Sequence, residues 1–372
     1  MVDLEVRTDD LHHIRAVDRP VAEPGEGQVL LAIDTFGLST NNVTFALTGD
    51  LLGYWRLFPA SEPGWGRVPA FGFADVIASR HPGVAEGERV FGYLPMSEHL
   101  LVEPARADDR GFFDGAAHRR DVMATVWNHY QRVEPAAVRA DAVRSLLRPL
   151  FITGFLIEDV VHDQDGFGAD VVVITSASAK TAIATAHEMT ARGDRRVVGL
   201  TSPGRAEAVR ALGAYDEVLP YERAGEVAGD RAVLVDIAGR LDVRDAVHER
   251  FGDRLVHSMT VGLSNVTDPE RLLAPAPAAG PAPEIFYAQL QIAKRAEEWG
   301  QDAFDRRLDD AWERFVAFTG PWLAIERVDG AEAAMAAWRR LVAGELDPTR
   351  GLQLSLGPGS ERRSPARGTT GV

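Results

Sequence analysis

The sequence predicts an α/β protein of two domains, with a parallel-sheet domain set inside a strand-rich one. Three observations predict it. Residues 170–205 read as strand, tight turn, helix and strand, a βαβ unit whose apolar strands should pair in parallel. Residues 1–105 are short β-rich runs punctuated by Gly and Pro, the pattern of a small barrel. At 372 residues the chain is too long for one ordinary domain.

The central unit carries the functional signal. An apolar strand at 171–175 is followed by a small, hydroxyl-rich turn of Ser176, Ala177 and Ser178. A helical pattern then runs to about Arg192, where Gly193-Asp194 stops it before a second strand at 196–200. Such a unit aims the free N–H groups and positive dipole end of its helix at the crevice beyond the strands, a diphosphate site. A dinucleotide-binding turn uses glycines so that the backbone can approach the pyrophosphate. This turn offers Thr175, Ser178, Ala179 and Thr181 instead, whose hydroxyls suit phosphate, and Lys180 adds charge. The same residues also fit an ordinary buried crossover with a satisfied polar turn.

NAD-preferring units place an acid at the end of the second strand for the ribose 2′-hydroxyl. Here the chain reads Leu200-Thr201-Ser202-Pro203-Gly204-Arg205, with no acid before Glu207. Ser202 and Arg205 suit a 2′-phosphate, Arg through its fixed fork of donors. Ser202-Pro203 is equally a good helix start.

Before this unit, strands are expected at 29–33, 73–78, 88–92 and 99–103, with an aromatic loop carrying Tyr54, Trp55, Phe58 and Trp65. Residues 106–150, rich in Arg and Asp, read as a polar helical insertion that includes Trp127, Asn128 and Tyr130, and 150–161 as an apolar helix. After it, helices are expected at 206–212 and 243–251, and strands at 217–219, 232–236 and 254–261. The four prolines of 274–283 make a loop, and two amphipathic helices follow near 286–299 and 303–318. Residues 322–356 return to a strand–helix–strand rhythm, and the basic, Gly/Ser/Pro-rich 357–372 reads as a disordered tail.

Composition narrows the function. Net charge −15 argues against nucleic acid and anionic membranes as partners. The absence of cysteine removes disulfides, thiol nucleophiles and cysteine zinc sites. The ten histidines show no ligand-like spacing beyond adjacent His12-His13, so no metal site is expected. No apolar run approaches the ~20 residues needed to span a bilayer, and the expected compartment is the cytoplasm.

The order of pieces resembles the medium-chain dehydrogenase/reductases, in particular their zinc-free, quinone-oxidoreductase-like branch. Pro24-Gly25-Glu26-Gly27-Gln28-Val29 resembles the opening strand of the catalytic domain, and Gly37-Leu38-Ser39-Thr40-Asn41-Asn42 the active-site turn. Pro82-Gly83-Val84 with Gly87-Glu88-Arg89-Val90 is similar to its later barrel stretch. Ser202-Pro203-Gly204-Arg205 with Leu212-Gly213-Ala214 and Tyr221 resembles the helix after the second Rossmann strand, and Gly344 with Pro348 and Gly351 the closing strand. The resemblance implies a GroES-like β-barrel catalytic domain at 1–160 and a Rossmann-type cofactor domain at 161–320. It further implies a return at 321–358 to the catalytic domain, a tail at 359–372 and a homodimer. It implies NADPH held by Thr153, Ser176, Ser178, Ala179, Lys180, Thr181, Thr201, Ser202, Arg205, Tyr221 and Ala238. The substrate would be a small enone- or quinone-like molecule. Tyr54 is the first candidate for a proton donor, because its phenol lies on the loop after the active-site turn. Asn42 is placed for a substrate oxygen or ribose hydroxyl, and Tyr130 with Asn128 is a further candidate. Two other readings stand beside this one: a non-redox lyase or isomerase using the same cleft, and a non-catalytic binding protein on a reductase scaffold.

Overall fold

The computed structural model describes residues 1–120, 128–261, 276–347 and 349–357. Trp127, Pro348, the first two residues of the proline-rich loop and the expected tail at 359–372 lie outside them.

The chain opens with the antiparallel pair β1 (Val2–Arg7) and β2 (Ile14–Asp18), then β3 (Val29–Leu38) leads into helix α1 (Thr40–Leu47). There follow β4 (Trp65–Gly66), β5 (Pro69–Ser79), β6 (Arg89–Pro95), β7 (His99–Val102), β8 (Pro104–Asp108) and β9 (Gly111–Asp114). A short α2 (Ala117–Arg120) and β10 (His129–Arg132) precede the long α3 (Val138–Asp163).

Residues 106–150 therefore correct the expectation of a helical insertion. β8, β9 and β10 extend the barrel sheet beyond β6, and among the described residues the only helix there before α3 begins at Val138 is the single turn of α2. Ala, Arg and Asp at 105–109 tolerate a helix, but Arg106 at φ 52° and Gly111 at φ 153° break it, and pairing with a sheet edge decides the outcome. The apolar helix expected at 150–161 is the second half of α3, which runs through Pro149. Its first half is held down by packing on the barrel: a Cβ on Gly37 would come within 2.9 Å of the Ser145 carbonyl carbon, so only glycine lets helix and strand close.

The middle of the chain alternates. β11 (Val171–Thr175), α4 (Lys180–Arg192), β12 (Arg196–Thr201), α5 (Ala206–Leu212) and β13 (Glu217–Pro220) make one half. β14 (Ala232–Asp236), α6 (Leu241–Phe251), β15 (Leu255–Thr260) and β16 (Glu284–Ile285) make the other. All these strands are parallel, in the order β13-β12-β11-β14-β15-β16. The order reverses between β11 and β14, which is the topological switch point of a doubly wound sheet. Every residue of β11 and β14 is buried, as the continuous apolar runs require of strands covered on both faces.

The amphipathic helices α7 (Ala288–Trp299) and α8 (Gln301–Thr319) follow, then β17 (Ala324–Asp329), α9 (Ala331–Val342) and β18 (Arg350–Ser355). β18 pairs antiparallel with β3, and β17 parallel with β18, so the chain returns to the sheet it began with. Trp338 of α9 is fully buried and its indole N–H donates to the Leu11 carbonyl at 2.8 Å, fastening the two ends of the chain. Among the described residues no helix is long and apolar enough to cross a membrane.

Candidate functional site

The switch point is built from the ends of β11 and β14. The Thr175 hydroxyl donates to Asp236 Oδ1 at 2.6 Å and accepts the Ile237 and Ala238 amides, each at 2.9 Å. Burial pushes the Asp236 carboxyl up, while the Thr175 hydroxyl and the Gly239 amide oppose that shift. Ala238 was expected against a cofactor. Its amide is instead part of this tie between strands.

After Thr175 the chain turns through Ser176 at φ 54°, a left-handed conformation that side chains with a Cβ rarely adopt. This is the turn where a dinucleotide fold uses glycine, and a serine takes the glycine conformation here. Tyr221 holds it through hydrogen bonds to Ser176, and burial raises that phenol's pKa. The Ala179 amide closes the turn on the Ser176 carbonyl at 2.7 Å, and the Ala177 amide reaches the Leu200 carbonyl at 2.9 Å. Helix α4 then starts without a side-chain cap, so its first-turn N–H groups face the crevice unsatisfied by the helix itself.

Charge converges on that helix start. Arg205 Nη1 reaches Ser178 Oγ at 3.5 Å, which joins the end of β12 to the turn after β11. Lys180 is buried and its Nζ donates to the Arg350 carbonyl at 2.8 Å, tying the turn to β18. Burial pushes the Lys180 ammonium down to about 8; Asp347 opposes that shift and Arg205 adds to it. Thr201 is buried at the end of β12, and Ser202 precedes the Pro203–Arg205 turn without capping it. Thr181 is half-buried in the first turn of α4, and its carbonyl accepts from Thr185 at 2.9 Å. Thr153 on α3 donates to the Pro149 carbonyl four residues back at 3.2 Å.

Ser178, Lys180 and Arg205 are thus brought together as the spacing implied. Two partners escaped sequence reasoning. Arg240 follows the β14 end and lays its guanidinium 4.9 Å from the Tyr221 ring centre, and Arg350 supplies the Lys180 acceptor from the far end of the chain. The only signal for Arg240 was its place directly after Ile237-Ala238-Gly239.

The candidates Tyr54, Asn42 and Tyr130 belong to the barrel part of the chain. Tyr54 is buried in the barrel core with its ring 4.7 Å from that of Phe45, and burial raises its phenol pKa well above the usual range. That is a packing position, and the role of crevice acid is not retained for it. Asn42 accepts from the Ser39 amide at 2.8 Å and donates to the Pro69 carbonyl at 2.9 Å, which caps α1 and fastens it to β5. The Tyr130 hydroxyl donates to the Tyr93 carbonyl and accepts from Arg119, each at 2.9 Å. Burial pushes that phenol up to about 12. These bonds hold Asn42 and Tyr130 in the barrel, with partners inside the protein.

The profile of a family described as "Protein of unknown function (DUF2855)" matches residues 36–347. No curated protein matches the chain. Among solved structures, the chain is similar to CurA from Vibrio vulnificus in complex with NADPH, at 13% identity and a TM-score of 0.59 over 93% of this chain and 94% of that one. It is similar to the yhdH oxidoreductase from Salmonella enterica in complex with NADP, at 14% identity and a TM-score of 0.55 over 96% and 100% of the two chains. A third likeness is to the CurK enoyl reductase, at 15% identity and a TM-score of 0.55 over 95% and 99%. These likenesses show the fold: a GroES-like barrel joined to a Rossmann-type sheet.

Proposed function

The chain belongs to the DUF2855 family, and from that premise we propose that it is an NADPH-dependent, zinc-free reductase of an activated double bond or carbonyl in a small molecule. The carrying observation is the convergence of Ser178, Lys180 and Arg205 on the uncapped start of α4 at the switch point of the sheet. Three of these features suit anionic phosphate: a hydroxyl, a guanidinium fork and a helix N-terminus. The β12 end carries no carboxylate to select a free ribose 2′-hydroxyl, and Arg205 stands in its place. That the similar CurA and yhdH structures hold NADPH and NADP adds to this reading.

In this reading Arg205 and Ser178 hold a 2′-phosphate, while the first turn of α4 with Lys180 faces the pyrophosphate. Bound there, NADPH supplies hydride. The buried Thr175–Asp236 tie keeps the ends of β11 and β14 in register, so the crevice floor is rigid. Zinc independence is part of the same proposal, on a sequence that offers no cysteine ligand. We carry the homodimer into the proposal as well, on the edge of β16, which pairs with no further strand among the described residues and has Ile285, Tyr287 and Leu290 exposed beside it. Titration of the purified protein with NADPH and NADH, read by nicotinamide fluorescence, tests the cofactor. NADPH should bind the more tightly, and equal affinity would sink the assignment. Sedimentation of the unmodified chain and of Leu290→Asp tests the dimer.

A further inference from the structure

A small cavity lies in the barrel part of the chain, and residues 1–119 supply its whole wall among the described residues. Its volume is about 280 Å³, at the small end of ligand cavities. One side is apolar, built from Leu57, Phe58 and Pro59 ahead of β4 and from Leu100 and Leu101 of β7. The other side carries Arg19, Arg67 and His99. A small cavity divided in this way fits a molecule with one polar end and one apolar end.

Arg67 follows β4, and its side chain is 11% exposed. Its guanidinium has two protein partners, both on Nη1: Asp3 Oδ2 at 3.2 Å and Ser97 Oγ at 3.4 Å. Both are long for a charged hydrogen bond. Nε is buried without a partner, and Nη2 makes no hydrogen bond among the described residues. Nε and Nη2 form one edge of the guanidinium, the edge that takes the two oxygens of a carboxylate side by side. Asp3 does not close that edge. Its Oδ2 also holds Arg19 at 2.9 Å, and its Oδ1 is buried without a partner. Burial pulls the Arg67 pKa down, and Asp3 and Glu5 oppose that shift only in part.

The neighbouring cations have carboxylates of their own. Arg19 has Asp3 and Glu5, each at 2.9 Å, and Arg15 has Glu5 at 2.8 Å and Glu62 at 3.4 Å. Arg119 has Asp114 at 2.8 Å, and the Met1 ammonium has Glu98 at 4.0 Å. With Arg67 included, cations and carboxylates are equal in number. Selection therefore rests on the open edge of Arg67 and not on excess charge. His99 adds a second group, since neither of its ring nitrogens has a partner among the described residues. Burial pushes its pKa down, against Glu98 and Asp3, and the neutral ring keeps one N–H to donate.

We propose that this cavity binds a short-chain monocarboxylate. The two oxygens lie on the Nε–Nη2 edge of Arg67 with His99 beside them, and the alkyl chain lies against Leu57, Phe58 and Leu101. A ligand charged at both ends fits poorly, because its second charge would meet the apolar wall. The site is independent of the reductase reading.

Isothermal titration of the full-length protein at two temperatures with pentanoate, pentanamide, pentylamine and acetate tests it. Pentanoate should bind. Pentanamide and pentylamine, with a similar chain but no carboxylate, and acetate, with almost no chain, should each bind at least about tenfold more weakly. Arg67→Lys keeps a cation for Asp3 but removes the planar edge, and His99→Phe keeps a ring but removes the N–H. Each should weaken pentanoate by about tenfold. The proposal is overturned if pentanoate gives no heat at either temperature, or if pentanamide or acetate binds equally well. It is also overturned if pentanoate affinity survives both substitutions. Should Arg67→Lys lower the Tm of the ligand-free protein, the ligand series and His99→Phe decide alone. NADPH titration of the same variants should be unchanged, so this result and the cofactor result stand or fall separately.

Discussion

Two buried arginines on the barrel, Arg119 and Arg89, face opposite situations. Arg119 is 1% exposed and its guanidinium is matched: it donates to Asp114 at 2.8 Å and to Asn128 and Tyr130 at 2.9 Å. Its guanidinium also lies 4.8 Å from the Phe58 ring centre. Arg89 is nearly as buried, but it gathers three carboxylates, leaves its Nε unmatched and borders Thr35 and Gln353, which are unmatched too. A matched network holds a fold together, and unmatched buried groups leave hydrogen-bonding capacity unused. The crevice at the switch point is also loosely tied: Ser178 and Arg205 approach only to 3.5 Å and α4 starts without a side-chain cap.

The largest expected effect breaks the closed network. Arg119→Leu leaves the Asp114 carboxylate buried without its cation, and urea unfolding should show a loss of about 3–5 kcal/mol. Gln353→Leu, at the open site, should leave stability unchanged or higher. If the two substitutions destabilise equally, the distinction between the networks fails.

The next effect is in the crevice. Charged hydrogen bonds contribute roughly 1.5–3 kcal/mol each, so Arg205→Ala should reduce the preference for NADPH over NADH by about tenfold or more. Fluorescence titration with both cofactors measures it. A mutant that weakens both equally would place Arg205 on a shared phosphate instead.

How far these sites were legible in the sequence depends on how local they are. The turn at 175–181 and the β12 end were readable because strand, turn and helix follow one another and their periodicity is unambiguous. Ser178 and Arg205 meet because two parallel neighbours end at the same level. The Arg89 network was not readable: Asp34, Asp75 and Asp141 come from two other strands and a helix, and only the β3 bulge turns Asp34 toward them. The partners of Asn42 and Tyr130 were unreadable for a related reason. A sequence shows that a residue can donate or accept, but the Pro69 carbonyl and Arg119 that occupy these two become neighbours only through folding. The β8–β9 hairpin failed on composition, since its Ala, Arg and Asp favour helix when read alone.

A third prediction sharpens the crevice through pH. The ammonium of Lys180 is held down to about 8 by burial. A bound phosphate favours the charged form and raises that value, so binding takes up a proton wherever the free lysine is partly neutral. NADPH affinity should therefore be flat below that pH and fall as pH rises through it, by up to about tenfold per pH unit. Lys180→Met should bind more weakly at neutral pH and lose the bend. A bend that persists in this variant assigns the titration to another group.

The smallest effect isolates the strain in the turn. Ser176 sits at φ 54° and is held by Tyr221. Ser176→Ala keeps a Cβ in the left-handed region and loses the hydroxyl's hydrogen bond, which should destabilise by about 1 kcal/mol. Ser176→Gly loses the same bond but relieves about 1–2 kcal/mol of backbone strain, partly offset by the larger chain entropy of glycine when unfolded. The glycine variant should thus equal or exceed the alanine variant in urea midpoint, the reverse of their order in a helix interior. Because both variants lack the hydroxyl, their difference reports the backbone alone. An alanine variant clearly more stable than the glycine one would mean that the turn relaxes out of the left-handed conformation, and that its resemblance to a glycine-built phosphate turn ends at Ser176.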